Sequence, residues 1–241
     1  MDKRITRAIH GEEPHVPGMG QRLNWLRAGV LGANDGIVSI AGLVVGVAAA
    51  ATDRSQILAA GVAGMVAGAV SMALGEYVSV SAQRDTERSL LAKERRELDQ
   101  EPTAELEELA SLYVAKGASP ETARTLAKEL TQQDAFAAHA DVELGIDPDA
   151  LTNPWHAAGS SAASFVIGSV LPILAIAFTA PDIRILVTAI TVLAALSLTG
   201  YLSAVLGGAR PAPAVARLVL GGSAAMAFTY VLGQAIGGSQ L

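Results

Sequence analysis

Asp35 and Glu76 are the sole formal charges in two long apolar stretches, residues 28–52 and 55–83. An ionised carboxylate at the middle of a bilayer costs about 2.5–3.5 kcal/mol on insertion scales, so such a residue persists where it faces a polar path or a ligand. Asp35 sits in Gly32-Ala33-Asn34-Asp35-Gly36, where two glycines permit close helix contact or a locally opened backbone. Met72 lies one helical turn before Glu76, near Gly68 and Ser79, so a thioether and a carboxylate could point into one cavity. The chemistry on offer is passage of a cation. An acid removed from water is favoured in its neutral form and a bound divalent ion favours the ionised form, so metal entry would release protons. The plainer alternatives are a helix-to-helix hydrogen bond for a buried acid and simple packing for Met72.

A second set of ligand-type residues follows at once. Glu94 and Glu97 are spaced i, i+3, as are Glu105 and Glu108, and His139 and Glu143 are spaced i, i+4, so each pair shares one helical face. Residues 84–153 carry 16 acidic and 8 basic side chains, a net of −8 against −6 for the whole chain. Carboxylate and imidazole suit Fe²⁺, Mn²⁺ or Zn²⁺, and a divalent cation would be drawn to such a segment. A solvated acidic face, with Arg95, Arg96, Lys116 or Lys128 pairing with the acids, is the competing reading. Spacing alone does not decide between them, because coordination needs different helices to converge.

The elements that must hold these residues are legible from charge. Residues 157–181, 185–209 and 218–241 carry no formal charge at all. With the first two stretches they make five runs, each long enough to cross a hydrocarbon core that needs about 20 helical residues. The expected fold is all-α: a polytopic membrane protein of five transmembrane helices, with a three-helix cytoplasmic metal-binding insert between helices 2 and 3. The divisions expected are a cytoplasmic tail over 1–26, helices 1 and 2 over 27–83, the acidic insert over 84–153 and helices 3–5 over 154–241.

The first apolar run lies about 27 residues in and lacks a clear small-residue cleavage site, so it reads as a span rather than a signal peptide. Lys3, Arg4, Arg7, Arg22 and Arg27 precede it, and Arg210 and Arg217 precede the last run. That bias places the N-terminus and residues 84–153 in the cytoplasm.

Within the insert, Pro102 should end a helix continued from the second span, and Thr103 is a candidate N-cap for a helix through Lys116 with Gly117 beyond it. Ser119-Pro120 repeats the cap-and-proline signature, and Gly145 should close a third helix. Gly32/Gly36, Gly42/Gly46 and Gly64/Gly68 are small-xxx-small spacings, suited either to a dimer or to internal contacts. Pro172 should kink the third span, and Trp155 and Tyr201 should mark interfaces. His10, His15 and His156 fit no ligand pattern. With no cysteine, disulfides, Cys-type zinc sites and iron–sulfur clusters are excluded.

Several segments together resemble one family. They are Ala33-Asn34-Asp35-Gly36-Ile37-Val38-Ser39, Met72-Ala73-Leu74-Gly75-Glu76-Tyr77-Val78-Ser79-Val80, Gln83-Arg84-Asp85, Glu143-Leu144-Gly145-Ile146 and Asn153-Pro154-Trp155. From about Leu26 onward the chain resembles the vacuolar iron transporter family. The resemblance implies a homodimer of five-helix subunits that exports Fe²⁺, and often Mn²⁺, from the cytosol in exchange for protons: a secondary transporter rather than an enzyme.

It implies that Asp35 and Met72 belong to the translocation site, with Glu76 near its cytoplasmic end. It also implies that Glu94, Glu97, Glu105, Glu108 and Glu143 are the carboxylates of a cytoplasmic metal site. His139 stands where a Met can occur in the family, so imidazole replaces the softer sulfur.

The expected partners are divalent metal cations, protons, the lipid bilayer and a second copy of the chain, with no nucleic acid. No resident cofactor is expected beyond transported or bound Fe²⁺ or Mn²⁺, with Zn²⁺ as a further candidate. A prokaryotic cell membrane is the expected location and a vacuolar-type membrane the alternative. The alternative function is a membrane-anchored metal-binding, ferroxidase or metal-sensing protein without transport; the insert has no Glu-x-x-His of the kind that builds diiron bundles.

Overall fold

A computed structural model describes residues 19–238, with side chains from 29 to 237. Lys3, Arg4, Arg7, His10 and His15 lie outside the described residues, whereas Arg22 and Arg27 fall on the first helix. The described chain is all-helical: α1 Met19–Ala50, α2 Arg54–Gln100, α3 Pro102–Ala115, α4 Pro120–His139 running into a π-helical turn Ala140–Leu144, α5 Pro154–Phe178, α6 Arg184–Leu206 and α7 Pro211–Gly238. Five of these, α1, α2, α5, α6 and α7, are long and apolar enough to cross a membrane. Their limits differ from the charge-free runs at the ends. Helix α7 begins at Pro211 and takes in Arg217, because backbone hydrogen bonding continues past the apolar stretch to the first position where a proline can start a helix.

The described chain packs as two units, divided between residues 72 and 73 and again between 158 and 159. The first has α1 at its centre. Ile37, Ala41 and Val45 form one buried cluster with Val192 and Leu196 of α6 and Met226 of α7. Ile40, Val44 and Ala48 form another with Ile57, Phe165 and Ile176.

With no hydrophobic drive between helices in lipid, close backbone approach must do this work, and the glycines show where it occurs. A Cβ at Gly36 would lie 2.2 Å from the Phe165 carbonyl oxygen, and one at Gly168 would lie 2.2 Å from that of Ala33. Gly46 faces Thr229, and Gly64 and Gly68 face Leu43 and the Phe165 ring. All three small-xxx-small pairs are therefore spent on contacts inside the subunit, and dimerisation draws no support from them. Replacing Gly168 by Ala should lower the unfolding midpoint of the detergent-solubilised protein by roughly 5–10 °C, since backbone cannot move aside as a side chain can. Gly221→Ala, which meets nothing within 4 Å, should cause no loss; equal midpoints in a thermal melt would refute the contact.

Two arginines tie the loops of this unit. Arg184, buried, donates to the Ala51 and Thr52 carbonyls, and Arg54 donates to that of Thr179. Carbonyls at a helix end lack intrahelical partners, and cationic donors satisfy them.

The second unit holds the C-terminal part of α2, α3, α4 and the π turn. Its helix limits follow local chemistry. Pro102 is the first residue of α3 and Glu101 its N-cap, so Thr103 lies within the first turn and is not the cap. A proline has no N–H to leave unsatisfied there, which makes the first position its natural place. Gly117, at φ +100°, ends α3; its N–H bonds to the Val114 carbonyl and that of Ala118 to Tyr113, the Schellman pattern. Ser119 caps α4, its hydroxyl accepting from Thr122 N–H, and Gly145 closes the π turn at φ +63°. Inside α4 the backbone breaks at Asp134, φ −164° and ψ 96°, whose carboxylate accepts from Ala137 N–H and caps the segment leading to His139. Apolar packing of Leu109, Ala110 and Ala127 holds α3 to α4.

Candidate metal centre

Four ligand-type side chains of the insert are carried by four different elements. Glu94 projects from α2, Glu105 from the first turn of α3, His139 from the end of α4 and Glu143 from the π turn. The structure brings them together. Atoms of Glu94, Glu105 and His139 that could ligate an ion all lie within 4.8 Å of one another, and all three residues are buried. Nδ1 of His139 is 2.9 Å from Glu94 Oε1, 3.4 Å from Glu143 Oε2 and 3.6 Å from Glu105 Oε2. The imidazole thus faces three carboxylates with one nitrogen.

Such a gathering is costly without a cation. Burial first, then the charge of Glu143, pushes the Glu94 carboxyl up to about 7, with His139 acting in the opposite direction and Glu105 and Glu97 adding to the rise. Burial and Glu108 likewise raise Glu105. Moreover, Glu94 Oε1 is buried without a hydrogen bond, its 2.9 Å approach to His139 being off the direction such a bond requires. An unsatisfied carboxylate oxygen among two further acids and a ring nitrogen is a donor set that a hard or borderline divalent ion would complete. The π turn fits this reading, since π-helical insertions concentrate at functional sites.

Glu97 and Glu108 stand outside the cluster. Glu97 is held by Lys93 at 2.6 Å, and Glu108 is exposed, yet both are near enough for their charge to bear on Glu105. They furnish an acidic surround to the buried group. The basic partners foreseen for these acids are not the ones used: Lys93 takes Glu97, Arg124 takes Glu107, and Arg95 stacks over the Phe136 ring.

The residues in the spans are placed as follows. Asp35 is half-buried on α1, and Oδ1 accepts from the Ser39 hydroxyl at 2.7 Å. Next to it, Asn34 accepts from Thr199 of α6 at 2.9 Å, a contact the sequence reading missed although a polar Asn in an apolar run was its visible signal. Met72 packs against the cluster that includes Ile40, Val44 and Phe165. Glu76 is half-buried in the second unit. Trp155 is 71 % exposed and its ring centroid lies 4.6 Å from that of Tyr77, an amphipathic pair suited to a bilayer interface.

A model of the VIT family matches residues 26–234. A protein of Acanthamoeba castellanii named vacuolar iron transporter is 42% identical over 228 residues, covering 94% of this chain and 83% of its own length. Vacuolar iron transporter homolog 5 of Oryza sativa subsp. japonica is 35% identical, with 93% and 88% covered. VIT-like transporter 1b of Glycine max is 35% identical, with 100% and 88% covered.

Proposed function

Because this chain belongs to the VIT family, we propose that it is a secondary transporter that moves Fe²⁺, and also Mn²⁺, out of the cytosol in exchange for protons. The relatives named as iron transporters supply the class of cargo. The single observation that carries the reading is the buried Glu94–Glu105–His139 group, in a chain with five helices able to span a bilayer.

The insert captures the ion. Glu94, Glu105, Glu143 and the His139 ring bind it, while Glu97 and Glu108 raise the local cation concentration around them. In the spans, Asp35 and Met72 form the translocation site, with Glu76 toward the cytoplasmic side. A doubly charged ion displaces protons from these acids, and protons arriving from the opposite side displace the ion, which couples the two flows in opposite directions. The excess of Lys and Arg before the first and last spans supports a cytoplasmic N-terminus and insert.

A homodimer is part of this reading. The exposed row Ala59, Ala63, Ala67 and Ser71 on α2 repeats small residues every four positions, beside exposed Val62, Val66 and Val70. Such a surface lets two copies of the helix approach closely.

Purified protein in liposomes loaded with a metal-sensing dye gives the test. Mn²⁺ or Fe²⁺ should cross, faster when a pH gradient of the correct sign is imposed, with protons moving the other way. Absence of metal flux under any gradient would overturn transport; consumption of Fe²⁺ and oxygen without movement of metal would replace it with the ferroxidase alternative. Deletion of residues 94–144 separates capture from sensing, since a sensor alone would leave basal flux intact.

A further inference from the structure

Helix α1 is covered on two faces. Ile37, Ala41 and Val45 are buried against α6 and α7, and Gly36 and Ile40 against α5. Between those faces runs a row that the described residues leave open: Leu31, 59% exposed, then Asp35, half-buried, then Ser39, exposed. Residues four apart line up along a helix, so the acid assigned to the ion path sits on an uncovered row of the central span.

Which way that row faces is set by the rotation of α1 about its own axis. Side chains reach about 5–6 Å from a helix axis, so a turn of about 10° carries the Asp35 carboxylate about 1 Å. Metal–ligand distances tolerate about 0.2 Å. Apolar contacts between helices in lipid have no direction and hold rotation loosely. The contacts of Gly32 and Gly36 with α5 fix how near that helix lies, but a surface without side chains offers little that resists turning.

One directional contact is present beside the acid. The Thr199 hydroxyl of α6 donates to Asn34 Oδ1 at 2.9 Å. Among the described residues this is the sole hydrogen bond joining side chains of two different spans; the bond at Asp35 itself stays within α1. Successive residues point about 100° apart around a helix. Asn34 held to α6 therefore sets Asp35 about a quarter-turn away, on the open row.

We infer that Thr199 is a positioning residue for transport: through Asn34 it fixes the rotation of α1, and with it the place of the Asp35 carboxylate. In this role Thr199 does not touch the ion. The inference rests on Asp35 as part of the ion path. Loss of the bond leaves the acid, its charge and its Ser39 contact in place but lets the carboxylate stray from the ion, so affinity falls while the rate at saturation is kept.

The test uses the full chain in liposomes, with Mn²⁺ flux measured over a range of Mn²⁺ concentrations. Thr199→Val keeps the branched shape and removes the hydroxyl; it should raise the concentration for half-maximal flux about 10-fold and leave maximal flux within about 2-fold. Asn34→Leu removes the bond from the other side and should do the same. The double variant should be no worse than either single one, because both delete one contact. Thr199→Ser should restore the wild-type value, and Ser197→Ala, which deletes a hydroxyl bonded within α6, should change neither constant. Wild-type half-saturation in both single variants, or effects that multiply in the double variant, would overturn the inference. So would a loss confined to maximal flux, the mark of a merely structural role. A wild type that moves no metal would overturn the transport reading itself and this inference with it.

Discussion

Asp35→Asn should reduce Fe²⁺ or Mn²⁺ flux in liposomes by on the order of 100-fold, equivalent to losing about 2.7 kcal/mol of cation stabilisation. Asparagine has nearly the shape of aspartate and keeps an oxygen that can accept from the Ser39 hydroxyl, now 2.7 Å from Asp35 Oδ1. The contacts of Gly36 with the Phe165 backbone and of Asn34 with Thr199 are untouched. Folding should therefore survive while the charge and the exchangeable proton are lost. Ser39→Ala separates these effects: it removes one neutral donor and leaves the charge, so flux should stay within about 10-fold of the wild type. Asn and Ala variants that both transport normally would place the ion path elsewhere, and failure of Ser39→Ala beside normal transport by Asp35→Asn would mean that the hydrogen bond, not the charge, is what matters.

That experiment depends on helices whose existence could be read directly from the chain, because a bilayer demands some twenty uncharged residues and tolerates few exceptions. The five spans are where the charge-free runs are. What the runs did not reveal is which helix lies at the centre. Gly36, Gly46 and Gly168 announce close approach, yet the partner of each is set by tertiary packing, and all turned out to serve contacts made within one subunit. Spacing likewise put His139 and Glu143 on one face. It had no means of showing that Glu94 and Glu105, each on its own helix, would meet the same nitrogen, since that meeting depends on how α3 and α4 fold back along the end of α2.

Glu97 illustrates the reverse. Its i, i+3 relation to Glu94 was visible, but its i, i+4 relation to Lys93 prevailed. The break at Asp134 was invisible because neither proline nor glycine marks it. An Asp that can cap the next turn suffices there, and such a residue looks ordinary in a helix.

Glu94→Gln should weaken Mn²⁺ binding to the metal-free protein by about 100-fold and flatten its dependence on pH. In the wild type the Glu94 carboxyl is held up to about 7 by burial and by neighbouring acids. A proton and the metal then compete for the same oxygen, so affinity should fall as pH is lowered from 8 to 6. Glutamine cannot titrate, and the part of that slope owed to this residue should disappear; a slope identical in the two proteins, measured by calorimetry at several pH values, would show that Glu94 is not a ligand.

The same shift fixes a sign for stability. A carboxyl raised in the folded state keeps a proton that the unfolded chain gives up above its ordinary value of 4.5. Without metal, stability should therefore be fully present below pH 4.5 as far as this group is concerned, decline as pH rises through about 7, and be lower beyond it. Metal restores what ionisation removes, because the ion neutralises the charge that burial penalises. The rise in unfolding temperature on adding Mn²⁺ should accordingly be larger at pH 8 than at pH 6, and Glu94→Gln should melt higher than the wild type when metal is absent and gain little when it is present. Glutamine thus relieves the strain of the empty site and forfeits the site itself, a reversal that loss of a merely structural contact would not produce.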